Sequence, residues 1–227
     1  KHPPIVFQIG FPESGENELE VLFSKETCVD VLSDTQMLLD TLNDYLLFFE
    51  KDQTHSLQYK LQSNYFYRVK KEIPEYSYDT LLIDKQSFTL SFIEFIRWLF
   101  PKAKFVLTLR HPCDSIYSGL SKQSKNKITI DNFHSLENTA KLYHRIFFLL
   151  EKQSMEGIYF LKYEDLISNT KKETEKLYSF LDLPCEKELK FDQITHTIGQ
   201  WEPYKKEFQP IMKYLEPYME RFDYKPT

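Results

Sequence analysis

The sequence contains little glycine and cysteine and has no long apolar run. Its three cysteines, Cys28, Cys113 and Cys185, are far apart and odd in number. Such a pattern suits neither a metal site nor a disulfide framework, and it favours a reducing compartment. No apolar stretch approaches the roughly 20 residues that a transmembrane helix needs, and no N-glycosylation sequon occurs. These absences predict a cytoplasmic protein with no membrane span in this segment.

A basic net charge is also lacking, which argues against a nucleic-acid partner. The net charge is −5, and the chain has neither a basic block nor a repeat that mixes basic and aromatic residues. A length of 227 residues suits one α/β domain or two small ones. The chain starts at Lys1 without Met, and a strand pattern begins almost at once. We therefore expect residues 1–227 to be one domain excised from a longer chain.

Short apolar runs rich in β-formers alternate with amphipathic helical patterns, as in a parallel α/β sheet. The runs predict strands at Ile5–Ile9, Cys28–Leu32, Thr80–Ile83, Phe105–Leu109 and Ile158–Leu161. Helical periodicity predicts helices at Asn17–Phe23, from Ser33 or Asp34 to Phe49, and at Leu57–Lys71, Ile93–Phe100, Ser115–Leu120, Leu136–Gln153 and Thr170–Leu181. We expect a single α/β domain with a central, mostly parallel sheet of about four or five strands flanked by helices.

The chain is organised around Lys104–Leu120, KFVLTLRHPCDSIYSGL. Arg110 follows a buried strand, and Asp114 stands where the N-cap of the next helix is expected. A guanidinium beside a helix N-terminus favours an anion, because free N–H groups and a bidentate donor converge there. The alternative is an ordinary strand-to-helix junction with an arginine on the surface.

The pattern R-x-P-x-D-x-x-x-S, formed by Arg110, Pro112, Asp114 and Ser118, resembles the 3′-phosphate motif of the sulfotransferases. It is most similar to the branch of tyrosylprotein sulfotransferases and their bacterial repeat-linked relatives. The resemblance implies a P-loop-like fold in which Arg110 and Ser118 hold the 3′-phosphate of 3′-phosphoadenosine 5′-phosphosulfate (PAPS). Lys122, one helical turn further on, matches another basic contact of that branch.

Two later segments extend the resemblance. Tyr163–Leu166, YEDL, matches a family motif whose tyrosine lies near the adenosine half of PAPS, a role that the resemblance places on Tyr163. Thr197–Trp201, TIGQW, resembles the S-I-G-R-W loop over the adenine, with Gln200 in place of the arginine. Trp201 could stack on the base, although a semi-buried tryptophan is at least as often plain packing.

The first strand leads into Gly10–Glu16, GFPESGE, and then a helix, which is the context that a phosphate-binding loop requires. The segment lacks the Gly-Lys-Ser/Thr of a Walker A loop, so ordinary nucleoside triphosphatase chemistry is not expected. It resembles the family's G-x-P-R-S-G-T-T loop, which implies that Ser14 and Gly15 supply donors to the 5′-phosphosulfate. Glu13 stands in place of the basic residue, and Glu16 in place of the first threonine.

These two acidic replacements make the loop degenerate. A carboxylate ~4 Å from the 5′-phosphosulfate repels it by about 4 kcal/mol at an effective dielectric of 20, which is close to a thousandfold in affinity or rate. Two interpretations follow. Either the loop still binds the donor through its backbone N–H groups, or Glu13 and Glu16 are favourable first-turn acids on a helix that no longer binds phosphate.

The resemblance also supplies two candidate catalytic residues. Asp34 falls where the tyrosylprotein branch carries the glutamate that takes the acceptor's proton, although Asp34 could equally be a helix N-cap. Lys85 matches a family lysine that reaches the leaving-group oxygen, with Ser87 in place of a proline. The alternative for Lys85 is a solvated surface residue.

We therefore expect a sulfotransferase that moves a sulfuryl group from PAPS, leaving PAP, to a hydroxyl acceptor. The acceptor is a small molecule or a tyrosyl peptide, and no metal is called for. The alternative is a catalytically impaired module, a pseudoenzyme that keeps the fold in order to bind a partner protein or a second copy of itself. A different nucleotide ligand is a third interpretation.

Overall fold

The fold is built on a sheet of five parallel strands, in the order β2-β3-β1-β4-β5. The structure is a computed structural model that describes residues 3–33, 35–49, 55–87, 89–121, 135–184 and 198–225. The strands are β1 (Ile5–Gly10), β2 (Val29–Ser33), β3 (Leu81–Ser87), β4 (Lys104–Leu109) and β5 (Ile158–Lys162). The expected single α/β domain with a central, mostly parallel sheet is confirmed.

Helices cover both faces of this sheet. They are α1 (Glu16–Phe23), α2 (Met37–Phe48), α3 (His55–Glu72), α4 (Ile93–Leu99), α5 (Pro112–Ser121), α6 (Leu136–Leu150), α7 (Tyr163–Ser168), α8 (Thr170–Leu181), α9 (Lys205–Phe208) and α10 (Met212–Arg221). Short 3₁₀ turns lie at Thr89–Phe92, Glu202–Tyr204 and Gln209–Ile211. Within the described segments, none of these helices combines the length and the apolar character needed to cross a membrane.

The apolar residues form one core on each side of the sheet. Because side chains alternate along a strand, Phe7 of β1 enters the core under α3, α4 and α6, whereas Val6 enters the core under α1 and α8. Both faces being covered explains why the strand sequences are continuous apolar runs. Full burial of one large side chain such as Phe7 stabilises the fold by roughly 1.5–3 kcal/mol.

The strand order places a crevice between β1 and β4. From β1 the chain turns into α1, which packs on one face, and from β4 it turns into α5, which packs on the other. Ligands of open α/β sheets bind at such a switch point, outside the carboxyl ends of the strands. The β1–α1 loop (residues 11–15) and Arg110 both lie there.

Three local expectations are corrected. Asp114 is not an N-cap, because α5 already begins at Pro112, whose fixed φ suits the first helical position. Ser33 does not cap α2, since it ends β2 and the helix begins only at Met37; Asp34 lies outside the described residues. Strand β3 continues to Ser87, so Lys85 lies on the strand and not in the loop after it.

Candidate functional site

Arg110 forms the first part of the site, at the carboxyl end of β4. Its side chain is only 4% exposed, which rules out the surface arginine considered above. Its Nη1 donates to Oγ of Ser118, 3.1 Å away on α5, and to the carbonyl oxygen of Glu13 at 2.9 Å. The guanidinium therefore joins α5 to the β1–α1 loop, and the expected pairing of Arg110 with Ser118 is present.

Tyr163, the first residue of α7, completes this part of the site. Its buried ring lies 4.8 Å from the guanidinium carbon of Arg110, in cation–π geometry. The same ring faces Gly15, whose φ of 103° belongs to the left-handed region that glycine favours. A Cβ at Gly15 would stand 2.8 Å from Cδ2 of Tyr163, so the ring also fixes the close approach of the loop. Lys122, the further basic contact expected here, lies outside the described residues.

The β1–α1 loop points two consecutive backbone N–H groups at one carboxylate. The N–H of Glu13 donates to Oε1 of Glu16 at 2.7 Å, and the N–H of Ser14 donates to Oε2 at 2.8 Å. Glu13 has a φ of 66°, a left-handed conformation that is uncommon outside glycine, and successive N–H groups in such a turn form a concave site for an anion. Oγ of Ser14 lies 3.3 Å from Oγ of Ser115 on α5. Ser14, one of the two residues expected to supply donors to the 5′-phosphosulfate, thus has its N–H and its hydroxyl in contact with other groups of the chain.

Burial raises the pKa of the Glu16 carboxyl above its ordinary value, although the N–H groups of Glu13 and Ser14 favour its charged form. The nearby carboxylate of Glu13 raises the pKa further through like-charge repulsion. The carboxyl group of Glu16 is therefore held by directed hydrogen bonds in surroundings that disfavour its charge. It is more than an exposed first-turn acid.

Lys85 is buried beside α1, with 4% of its surface exposed, so the solvated lysine considered above is wrong. Its Nζ lies 2.6 Å from Oε2 of Glu20 and 2.8 Å from Oδ1 of Asn17. Burial works against the charge of Glu20, but hydrogen bonds from Lys85 and Ser33 overcome it and hold the pKa of Glu20 below its ordinary value. The second cation expected at the site is thus matched by a carboxylate of α1.

A buried carboxyl group lies on the opposite face of β3. Asp84 accepts hydrogen bonds from the hydroxyl of Tyr65 at 2.5 Å and from Nε2 of Gln86 at 3.0 Å. Nε2 of Gln86 also lies 3.0 Å from the carbonyl oxygen of Thr35, the residue after Asp34. Burial raises the pKa of Asp84 to about 6, and the hydrogen bonds from Tyr65 and Gln86 only partly offset it. This network fixes Thr35 to the sheet, whereas Asp34 itself lies outside the described residues.

The C-terminal segment is attached to α5 by Asp114. The carboxylate of Asp114 accepts the N–H of Gly199 at 2.7 Å and the N–H of Trp201 at 3.2 Å. Trp201 is 2% exposed, and its ring stacks on His111 with centroids 5.2 Å apart and 15° between the planes. Trp201 therefore packs in the core here, and stacking on a base stays a prediction.

The sequence did not predict the partners of Lys85, which are Glu20 and Asn17. It also did not predict the buried carboxyl group of Asp84. The spacing of Glu16 and Glu20 is a signal that could have found Glu20, because residues four apart lie on the same side of a helix. The only signal for Asp84 was an acid directly after the apolar run of a predicted strand.

The site thus has two parts of opposite character. We call the first the arginine half, which consists of Arg110, Ser118 and Tyr163. We call the second the loop half, which consists of Glu13, Ser14, Glu16, Glu20 and Lys85. The arginine half presents a guanidinium and a hydroxyl, which suit a phosphate. In the loop half, the donors that suit a second anion already contact carboxylates.

Comparison with known proteins relates this arrangement to one family. A family model described as "Sulfotransferase family" matches residues 4–187. The sulfotransferase domain from the curacin biosynthetic pathway aligns with a TM-score of 0.61 and 16% identity, over 99% of both chains. A sulfotransferase from Alicyclobacillus acidocaldarius aligns with a TM-score of 0.56 and 12% identity, over 96% of both chains.

A mouse sulfotransferase complexed with PAP aligns with a TM-score of 0.54 and 11% identity, over 93% of this chain and 84% of the mouse chain. At these identities the structural likeness shows the fold alone. No curated protein sequence matches the chain.

Proposed function

The chain belongs to the sulfotransferase family, and we propose that it is an enzyme that transfers a sulfuryl group from PAPS to a hydroxyl acceptor. The observation that carries this proposal is the position of Arg110. One atom of its guanidinium reaches the hydroxyl of Ser118 and the carbonyl of the β1–α1 loop. A buried cation at a switch point, beside a hydroxyl on the following helix, is suited to a phosphate group.

In this proposal the arginine half binds the 3′-phosphate of PAPS or PAP. Arg110 supplies a charge-assisted donor and Ser118 a hydroxyl, both of them buried, so that solvent screens the attraction weakly. Lys122 adds a further positive charge. Tyr163 and Trp201 are proposed to lie on the adenosine side, where Tyr163 supports the guanidinium of Arg110.

The loop half is proposed to receive the 5′ end of the donor. When bound, PAPS supplies the sulfuryl group, which leaves the 5′-phosphate oxygen and bonds to the acceptor's hydroxyl oxygen. Asp34 is the proposed base that takes the hydroxyl proton. Lys85 is the proposed cation at the leaving oxygen, and the N–H groups of Ser14 and Gly15 are the proposed donors around it.

The acceptor is proposed to be a hydroxyl compound, either a small molecule or a tyrosyl peptide as in the tyrosylprotein branch. In-line group transfer of this kind depends mainly on positioning and charge stabilisation. The acceptor class is therefore open to direct screening once donor binding has been established.

The test combines a binding measurement with an activity measurement. The domain is titrated calorimetrically with PAP and with PAPS, and labelled PAPS is then offered with phenols, aliphatic alcohols and tyrosyl peptides. We expect both nucleotides to bind and at least one acceptor to be labelled, and we expect Arg110→Met to abolish both results.

Binding of neither nucleotide would contradict the proposal. Binding without transfer to any acceptor would favour the alternative, a catalytically impaired module that acts through a partner protein.

A further inference from the structure

We infer that Glu16 is an internal competitor of the donor, whose carboxylate occupies the β1–α1 loop and must leave before the 5′ group of a nucleotide can bind. This inference rests on the proposed function, because it assigns the loop to the donor. It adds an autoinhibitory contact made by this chain's own residues. The domain would rest with its loop closed by Glu16.

The first observation is the way in which the loop binds the carboxylate. Each oxygen of Glu16 accepts one N–H, from Glu13 at 2.7 Å and from Ser14 at 2.8 Å. Consecutive N–H groups that converge on one anion are the usual means by which a backbone loop holds phosphate or sulfate. The carboxylate uses these two donors in the same manner, so a second anion cannot use them at the same time.

The second observation is that the chain holds Glu16 in this position. Nε2 of the buried Gln8 donates to the carbonyl oxygen of Glu16 at 2.9 Å, which fixes the first residue of α1 to β1. Arg110 holds the carbonyl of Glu13 at 2.9 Å and thereby fixes the other side of the loop. The N-terminal position on α1 also favours a negative charge. The contact is thus supported from two strands and by the helix itself.

The third observation is that Glu20, one turn further along α1, engages Lys85 in the same way. Its Oε2 lies 2.6 Å from Nζ of Lys85, which is buried and also contacts Asn17. Glu16 and Glu20 therefore lie on one side of α1 and together meet both the N–H donors and the cation of the loop half. The two acids act as a built-in substitute for the charge of the donor.

The inference predicts an unusual ranking of nucleotides. Adenosine 3′-phosphate tests the arginine half alone, and PAP adds a 5′-phosphate that tests the loop half. We expect the unaltered domain to bind PAP no more than about threefold tighter than adenosine 3′-phosphate.

Glu16→Gln keeps the length of the side chain but removes the charge and one acceptor. It should tighten PAP by about 10- to 100-fold, the factor expected for hydrogen bonds to a charged group, and leave adenosine 3′-phosphate unchanged.

Glu18→Gln is the matched control, because it removes the same charge from the same helix. Within the described part of the chain, the side chain of Glu18 makes no hydrogen bond or ion pair. It should leave the affinity for both nucleotides within about twofold. Glu16→Thr, which removes the carboxylate entirely, should behave as Glu16→Gln does. The inference is overturned if the unaltered domain already binds PAP far more tightly than adenosine 3′-phosphate, or if both Glu16 variants leave the ratio unchanged.

Inorganic sulfate separates this inference from the proposed function, because it needs no nucleotide site. Thermal unfolding is measured in sulfate and in chloride of equal ionic strength. We expect sulfate to raise the Tm of Glu16→Gln more than that of the unaltered domain or of Glu18→Gln. If no variant binds a nucleotide but sulfate stabilises Glu16→Gln selectively, the proposed function fails, while the competition of Glu16 with an anion for the loop is supported. If sulfate has no selective effect and the nucleotide ratio is unchanged, the inference fails whatever the function.

Discussion

The arginine half and the loop half lie at the same edge of the same sheet, yet their cations and hydrogen-bond donors have different partners. In the arginine half, the partners of the buried cation include a hydroxyl, a carbonyl and an aromatic face. In the loop half, the backbone donors contact Glu16 and the buried Lys85 contacts Glu20. The guanidinium of one half thus contacts a hydroxyl, a carbonyl and an aromatic ring, and its charge also acts on the carboxylate of Glu164, whereas the cation and the backbone donors of the other half contact carboxylates directly.

The difference shows how little the charge of a loop depends on the sheet that carries it. Both halves are positioned by strands whose side chains are buried on both faces, with the arginine half packed on one core through α5 and the loop half on the other through α1. Exchanging a polar residue for an acid on α1 alters the local potential by several kcal/mol while leaving that core intact. The fold therefore does not depend on the charge of the loop half.

The largest effect that would test this comparison is loss of the guanidinium. We expect Arg110→Met to weaken binding of adenosine 3′-phosphate by at least about 100-fold, since removing one partner of a buried charged hydrogen bond costs roughly 2–5 kcal/mol. Arg110→Lys keeps the charge but not the planar fork, and should lose about tenfold. Titration calorimetry measures both variants, and circular dichroism verifies that they are folded. If Arg110→Met binds normally, the arginine half is not the 3′-phosphate site.

The next prediction concerns Asp84, which lies on the face of β3 opposite Lys85 of the loop half. The pKa of Asp84 is raised from 3.8 to about 6, so the folded state resists its ionisation. The stability that neutral Asp84 contributes is complete below pH 3.8 and is lost as the pH rises through about 6. Asp84→Asn removes this dependence because the asparagine amide does not ionise, and its oxygen can still accept the hydrogen bond from Gln86. As the pH is raised from 3.8 to neutral, the free energy of unfolding of Asp84→Asn should therefore increase by about 3 kcal/mol relative to that of the parent.

Urea unfolding at a series of pH values measures this difference. Asp79→Asn, at an exposed aspartate, serves as the control and should show no comparable change with pH. A difference between Asp84→Asn and the parent that stays constant across this range would mean that Asp84 is ionised in the fold without cost. The network that joins it to Thr35 would then need a different explanation.

The sheet could be predicted from sequence because its signal is repeated along the whole chain. Apolar runs such as Phe105–Leu109 are long enough to identify a buried strand by themselves, and the structure has a strand at Lys104–Leu109. The alternation of such runs with helical periodicity then fixed the parallel architecture. Ends of elements were less predictable, as Asp114 shows. An aspartate can be either the N-cap or a first-turn acid of a helix, and the sequence does not distinguish these positions until the first residue of the helix is known.

The site was only half predictable, because one half depends on residues close in sequence and the other does not. Arg110 and Ser118 are eight residues apart and meet across one strand-to-helix turn. Lys85 and Glu20 are 65 residues apart, and only the placement of α1 beside β3 brings them together. The contact of Glu16 with the loop is local, but it requires a left-handed Glu13, a conformation that the sequence does not suggest.

A smaller effect tests how the two halves are joined at Gly15. We expect Gly15→Ala to destabilise the fold by about 2–3 kcal/mol, because the φ of 103° is strained for alanine and the new Cβ would meet Tyr163 at 2.8 Å. Gly157→Ala is the matched control, with a φ of 69° and open space around the Cβ, and should cost only about 1 kcal/mol. Urea unfolding gives both values. Equal costs would mean that the Tyr163 ring moves aside easily and does not hold the loop against Arg110.

The smallest predicted effect concerns Asp114, whose carboxylate attaches the C-terminal segment to α5. Asp114 accepts the N–H groups of Gly199 and Trp201, and Asp114→Asn can satisfy only one of them. We expect a loss of about 1 kcal/mol, seen as roughly fivefold faster hydrogen exchange at these two amides. The amide of Phe222, which bonds to the carbonyl of Tyr218, should exchange at an unchanged rate. Adenosine 3′-phosphate should bind Asp114→Asn within about twofold of the parent. A larger loss would mean that the proposed place of Trp201 on the adenosine side depends on both hydrogen bonds to Asp114, and the contrast between the halves would then extend beyond Arg110 and Ser118.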